Sequence, residues 1–143
     1  MTLRVVFDTN LYLRKMLMPA GFPAQAFLAW KNAHFKFFPP PAILHEIRNT
    51  LGYPRLRRKY RITDEMVDAL IGLLERHATV VAGTADVVGA IPADPNDEIV
   101  LACAVDGQAD LIVSGDQHLL ALASYRNIAI LPVRAFLARL ASA

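Results

Sequence analysis

Several things are scarce in this chain, and each scarcity excludes something. There is one cysteine, Cys103, in 143 residues. It cannot form an internal disulfide, which fits a reducing, cytoplasmic setting. Its neighbours in VLACAV are apolar, so it reads as a small core residue. No apolar run reaches the ~18 residues needed to cross a bilayer, so no membrane role is expected. Arg4 and Asp8 stand where a secretory leader would need its apolar stretch. The four histidines, His34, His45, His77 and His118, are scattered without zinc-ligand spacing. Linkers, repeats and low-complexity segments are missing. Acids are almost missing from the first half. Of 13 Asp and Glu residues, only Asp8 and Glu46 precede Asp64, whereas 12 of the 15 Lys and Arg residues lie at or before Arg76. A chain polarised in this way can present one face to a polyanion, and the two early acids stand out against it.

Apolar residues, by contrast, are plentiful. At 55% hydrophobic and 20% charged, the chain has the material for a full core and the length of one domain, residues 1–143. LRVVF (Leu3–Phe7) is continuous and β-branched, as in a buried parallel strand. FPAQAFLAWKNA has helical spacing, with Phe22, Ala26, Phe27 and Trp30 sharing a face. A strand is predicted over Phe35–Phe38, stopped by three prolines, and a helix over Ala42–Leu51. In TDEMVDALIGLLERHA, Thr63 caps a helix, Asp64 and Glu65 suit its positive end, and Met66, Leu70, Leu73 and Leu74 form its stripe. Strands are also predicted over Thr79–Ala82, within DLIVSGD (Asp110–Asp116) and over Asn127–Leu131, with helices opening at DPNDEIVLACAV and closing at PVRAFLARLA. Trp30, Phe27, Phe35, Phe37 and Phe38 are expected to build core. Alternating strands and helices predict an α/β fold, a parallel sheet covered on both faces.

In an open parallel sheet, sites form beyond the carboxyl ends of the strands. Asp8 follows the first strand directly, and Asp116 follows LIVS by one glycine. Asp97 begins a buried helix, and helix starts face the same edge. Glu46 lies among apolar neighbours in AILHEI. Each acid has a plainer reading. Asp94 and Asp97 suit a helix cap, Asp116 a Gly-Asp turn, and Glu46 a solvent-facing helix position. Asp8 is the hardest to explain in that way, because a carboxylate beside VVF is desolvated at a cost unless something satisfies it. Four converging carboxylates would repel one another, and a divalent cation resolves that repulsion. Oxygen ligands favour Mg²⁺ or Mn²⁺ over zinc.

VVFDTN, PAILHEI with Glu46, DPNDEIVLACAV with Asp97 and LIVSGDQHLL with Asp116 occur in that order over nearly the whole chain. In this the sequence resembles the PIN-domain nucleases, specifically the small bacterial and archaeal members that act as toxins of toxin–antitoxin pairs. The resemblance implies a three-layer α/β/α sandwich around a mostly parallel five-stranded sheet. It implies that Asp8, Glu46, Asp97 and Asp116 form a catalytic, metal-holding acidic site, supported by Thr9, Asn10 and Ser114, with Asp94 as an accessory acid. It also implies an endoribonuclease that uses Mg²⁺ or Mn²⁺ on RNA, forms a homodimer and is held inactive by a cognate antitoxin.

The substrate needs a track. PRLRRKYR supplies Arg55, Arg57, Arg58, Lys59 and Arg61 with Tyr53 and Tyr60 close by, and Arg14 and Arg48 lie near Asp8 and Glu46 in sequence. Cations neutralise phosphates and aromatic faces stack bases, although the same stretch also reads as a solvated basic loop and helix end. An aspartate-dependent phosphatase would want a second acid where Asn10 stands, and a receiver domain a late lysine, yet none follows Lys59. The other alternative is a catalytically silent RNA- or partner-binding module on the same fold.

Overall fold

LRVVF forms β1 (Leu3–Phe7), and Val5, Val6 and Phe7 are all buried. A strand covered on both faces has no use for polar alternation, which is why this run is continuously apolar. The computed structural model describes residues 3–8, 11, 28, 30, 35–37, 43–77, 87, 90 and 98–142. Within them β1 lies between β2 (Phe35–Phe37) and β3 (Leu111–Val113), parallel to both, with Val5 level with Phe37 and Leu111. The helices α1 (Ile43–Leu51), α2 (Pro54–Tyr60), α3 (Asp64–His77) and α4 (Glu98–Asp106) come between β2 and β3 in the chain. After β3 follow α5 (Gln117–Leu122), the two-residue strand β4 (Ser124–Tyr125), β5 (Ile128–Leu131) and α6 (Val133–Ala141). β5 is parallel to β3 and β4 antiparallel to β5, giving the sheet order β2-β1-β3-β5-β4. The carboxyl ends of β2, β1, β3 and β5 therefore share one edge.

The two-residue period of a strand sorts the core into two clusters. Val5, Phe7, Leu111 and Val113 face Ile47 and Leu51 of α1, Val67, Leu70, Ile71 and Leu74 of α3, and Val133 and Phe136 of α6. Leu11 and Trp30 join them. Phe7 and Phe136 meet edge to face, with centroids 5.9 Å apart at 79°, a geometry worth about 0.5–1.5 kcal/mol beyond burial. On the other face Val6, Ile112, Ile128 and Ile130 pack against Val100, Leu101 and Cys103 of α4 and Leu119 of α5. The sheet thus has helices on both sides, the α/β class expected.

Local chemistry sets the element ends. Thr63 Oγ1 accepts the Met66 N–H at 3.2 Å and caps α3 as predicted. The stripe of α3 centres on Val67, Leu70, Ile71 and Leu74, with Met66 and Leu73 on its flanks. Gly52 joins α1 to α2, where an added Cβ would lie 2.9 Å from the Arg48 carbonyl oxygen. At the amino edge of the sheet the Arg4 guanidinium donates to the Gly107 carbonyl at 2.9 and 2.7 Å. That contact pins the carboxyl end of α4 there. Nine residues at ~1.5 Å each then carry its start, Glu98, toward the opposite edge, where the strands end.

Three elements have no counterpart in the predictions: α2, α5 and β4. The strand predicted over Thr79–Ala82 lies outside the described residues, as does most of the helix predicted around Trp30. Cys103 is buried as expected, and burial first, then the Asp106 carboxylate, pushes its thiol up to about 11. Among the described residues no helix is long and apolar enough to cross a membrane.

Candidate active site

The end of β1 carries the site. The Asp8 N–H donates to the Val113 carbonyl at 2.9 Å, extending the ladder by one residue and holding the Asp8 backbone against β3. Its side chain is only 3% exposed. A buried carboxylate costs several kcal/mol unless donors or a cation meet it, and the structure supplies one donor directly. Ser114, wholly buried at the end of β3, donates its hydroxyl to Asp8 Oδ2 at 2.8 Å. The same hydroxyl oxygen accepts the Asp116 N–H at 2.9 Å. Neighbouring parallel strands place Asp8 and Ser114 side by side because Phe7 is level with Val113.

Asp116 ends this short relay and begins α5. Its backbone is extended (φ −81°, ψ 133°), and Oδ1 accepts the N–H groups of His118 at 2.8 Å and Leu119 at 3.2 Å. It is therefore a helix N-cap, held at the carboxyl edge by its contact to Ser114. The plain reading of Asp116, a Gly-Asp turn, becomes a capped helix start, and the cap leaves the acid on the edge where Asp8 stands.

Glu46 comes to Asp8 from α1. Ile47 and Leu51 anchor α1 in the core, which leaves Glu46 on its exposed side. Its carboxyl is pushed up from the usual 4.5, by burial first and by the Asp8 charge second. The two carboxylates, 38 positions apart in the sequence, thus sense each other across the site. Among the described residues no three His, Cys, Asp or Glu side chains stand close enough to form a metal cage by themselves. Asp94, Asp97, Thr9 and Asn10 lie outside those residues. Asp97 directly precedes Glu98, whose Oε2 accepts the Ala90 N–H at 3.2 Å.

The PIN-domain family model matches residues 4–118. The chain belongs to the PIN-domain family. That span runs from β1 through Asp8, Glu46, Ser114 and Asp116 to the start of α5. No curated protein matches the chain. PIN domains are generally nucleases, and those nucleases typically use divalent metals on nucleic acid. In this PIN domain the donor set suits a hard cation, since every candidate ligand is an oxygen. A buried Asp8 whose charge already raises its neighbour is a place where a cation relieves repulsion.

The predicted cations divide into two groups. Arg48 pairs with Asp68 of α3 at 3.1 Å, both side chains being well exposed. Arg57 turns inward, donating Nε to the Leu51 carbonyl at 2.7 Å and Nη1 to Asp64. Arg55, Arg58, Lys59 and Arg61 are exposed on or beside α2. Arg14 lies outside the described residues. The feature of this PIN domain that sequence reasoning missed is the double use of Ser114, donor to one acid and acceptor from the backbone of another. The resemblance implied Ser114 as a support of the acids; the second bond, from the Asp116 N–H, had no signal in the sequence.

Proposed function

We propose that this PIN domain is a metal-dependent endoribonuclease hydrolysing RNA phosphodiester bonds, and the toxin of a toxin–antitoxin pair. The observation that carries the reading is the buried Asp8 carboxylate at the end of β1, fixed by Ser114 and raising Glu46 across the site. Asp8, Glu46, Asp97 and Asp116 would hold Mg²⁺ or Mn²⁺, which when bound supplies charge neutralisation and an acidified water for hydrolysis. Ser114 fixes Asp8 Oδ2 and so sets the direction of its other oxygen. Glu46, pushed up and more exposed than Asp8, is the carboxylate best suited to take a proton from an attacking water.

On this reading the three-layer PIN-like arrangement brings Asp97 to the acidic edge with Asp94 beside it, and Thr9 and Asn10 support Asp8. The direction of α4, with its carboxyl end held by Arg4, favours that placement. A homodimer in the cytoplasm, and an antitoxin that inserts a cationic side chain among the carboxylates, complete the proposal.

The test is cleavage of a mixed-sequence RNA with Mg²⁺ or Mn²⁺, using EDTA as the control and Asp8→Asn as the variant. Metal-dependent cleavage that Asp8→Asn loses while retaining RNA affinity supports the nuclease. RNA binding that Asp8→Asn leaves unchanged, with no cleavage by either protein in either metal, supports the silent module.

A further inference from the structure

α2 is a helix without a core. None of its seven residues is buried, so packing does not explain why it forms. Pro54 at its start gives it a suitable first residue, and the Arg57 contacts to Leu51 and Asp64 fasten it to α1 and α3. Arg57 is thus the fastener of this basic run. The helical period then separates it from the rest: Arg55, Arg58 and Lys59 stand at i, i+3 and i+4 and share one face, while Arg57 lies on the opposite side.

Among the described residues that shared face is free of ion pairs. Among the described residues Arg55, Arg58 and Arg61 make no ion pair or side-chain hydrogen bond, and no acid lies on α2. Arg61, the C-cap, stands at φ 53° and ψ 44°, a left-handed conformation that favours glycine, and by the same period it lies nearer Arg57 than the stripe. Exposed tyrosines stand at the two ends of α2. Tyr53, just before the helix, is 59% exposed, and Tyr60, at its end, is 36% exposed. The Lys59 ammonium lies 5.3 Å from the Tyr60 ring centroid. Seven residues at 1.5 Å place the two tyrosines about 10 Å apart along the axis.

We propose that this cationic stripe, with Tyr53 and Tyr60 at the two ends of α2, docks single-stranded RNA outside the acidic edge; the assignment rests on the nuclease reading above. Unpaired cations meet phosphates, and exposed tyrosines meet unstacked bases. A duplex offers the phosphates without the free base faces. An acidic polypeptide offers charge without stacking.

Fluorescence anisotropy with a labelled single-stranded RNA, a duplex of the same sequence and polyglutamate as competitor tests this, in EDTA so that nothing is cut. The triple variant Arg55→Gln, Arg58→Gln, Lys59→Gln should bind the single strand at least tenfold more weakly. Its log–log salt dependence should be shallower by about 2, at ~0.7 per lost phosphate contact. Tyr53→Ala and Tyr60→Ala should each cost the single strand about fivefold or more and the duplex little. All these side chains are exposed, so unchanged circular dichroism and melting confirm intact folds. Wild-type affinity in the triple variant overturns the proposal. So does polyglutamate competing as well as RNA, which would assign the surface to an acidic protein, or an equal tyrosine effect on the duplex. The nuclease reading fails separately. If wild type cuts no RNA in Mn²⁺ while the triple variant still loses affinity, the docking surface stands and the nuclease falls. If Asp8→Asn abolishes cleavage while the triple variant binds normally, the reverse holds.

Discussion

Ser114→Ala removes one oxygen from the centre of the site, and the structure sets what that costs. The hydroxyl is fully buried, donates to a 3%-exposed carboxylate at 2.8 Å and accepts a part-buried backbone N–H at 2.9 Å. A hydrogen bond to a charged group contributes about 1.5–3 kcal/mol, and a stranded N–H costs about 1 kcal/mol where water reaches it in part. Their sum is about 3 kcal/mol. At ~3 °C per kcal/mol for a domain of this size, the melting temperature should fall by about 9 °C. The assay is thermal and urea unfolding in EDTA, run on Ser114→Ala, Asp8→Asn and the double variant. If the Asp8 charge is what the hydroxyl serves, the serine substitution costs at least ~1 kcal/mol less in the Asp8→Asn background. A cost below ~0.5 kcal/mol, or one that is the same in both backgrounds to within ~0.5 kcal/mol, refutes the bridge as the element that holds Asp8.

Glu46→Gln tests, through pH, the burial and the Asp8 charge that together push up the Glu46 carboxyl. The folded-state pKa of Glu46 is raised, so folding disfavours its ionised form, and the resulting loss of stability is absent below about 4.5 and grows as pH rises through the folded value. Glu46→Gln should therefore melt higher than wild type at pH 7–8 in EDTA, with the gain vanishing by about pH 4; a variant less stable at pH 7–8 contradicts the raised carboxyl. Arg57→Ala should cost about 1 kcal/mol in urea unfolding through its bond to the Leu51 carbonyl. Asp64→Asn should cost under ~0.5 kcal/mol, because the Asp64 side chain is 82% exposed and its pairing is screened. Phe136→Ala, which empties a fully buried site against Phe7, should cost about 3–5 kcal/mol, and a loss under ~1 kcal/mol would place Phe136 outside the core.

What the sequence made legible follows from where burial writes a pattern. β1 is buried on both faces, so a continuous apolar run named it, and the apolar stripe of α3 named that helix. α4 was legible as a deeply packed helix because Val100, Leu101, Ala102, Cys103 and Ala104 are all buried. α2 buries nothing, so periodicity was silent, and Pro54 in its first turn was the only mark. α5 was hidden because Asp116 was read for its charge, while its side chain also caps the helix. β4 is two residues long and exists through its hairpin, where Arg126 and Asn127 both take left-handed φ of 47° and 69°, the requirement of a type I′ turn. In the site, Asp8, Glu46 and Asp116 were legible as acids near strand and helix ends. That Glu46 answers to Asp8, and that one serine joins Asp8 to Asp116, depends on strand register and helix packing, which residue order alone does not carry.

Isothermal titration of the purified protein with Mn²⁺, wild type against Asp8→Asn, is the most direct measurement. Saturable binding by wild type that the single neutral substitution removes, with folding intact, is the result expected of carboxylates gathered around a cation. Equal binding by the two proteins, or none by wild type at millimolar Mn²⁺, would show that the acids at the strand ends do not act together.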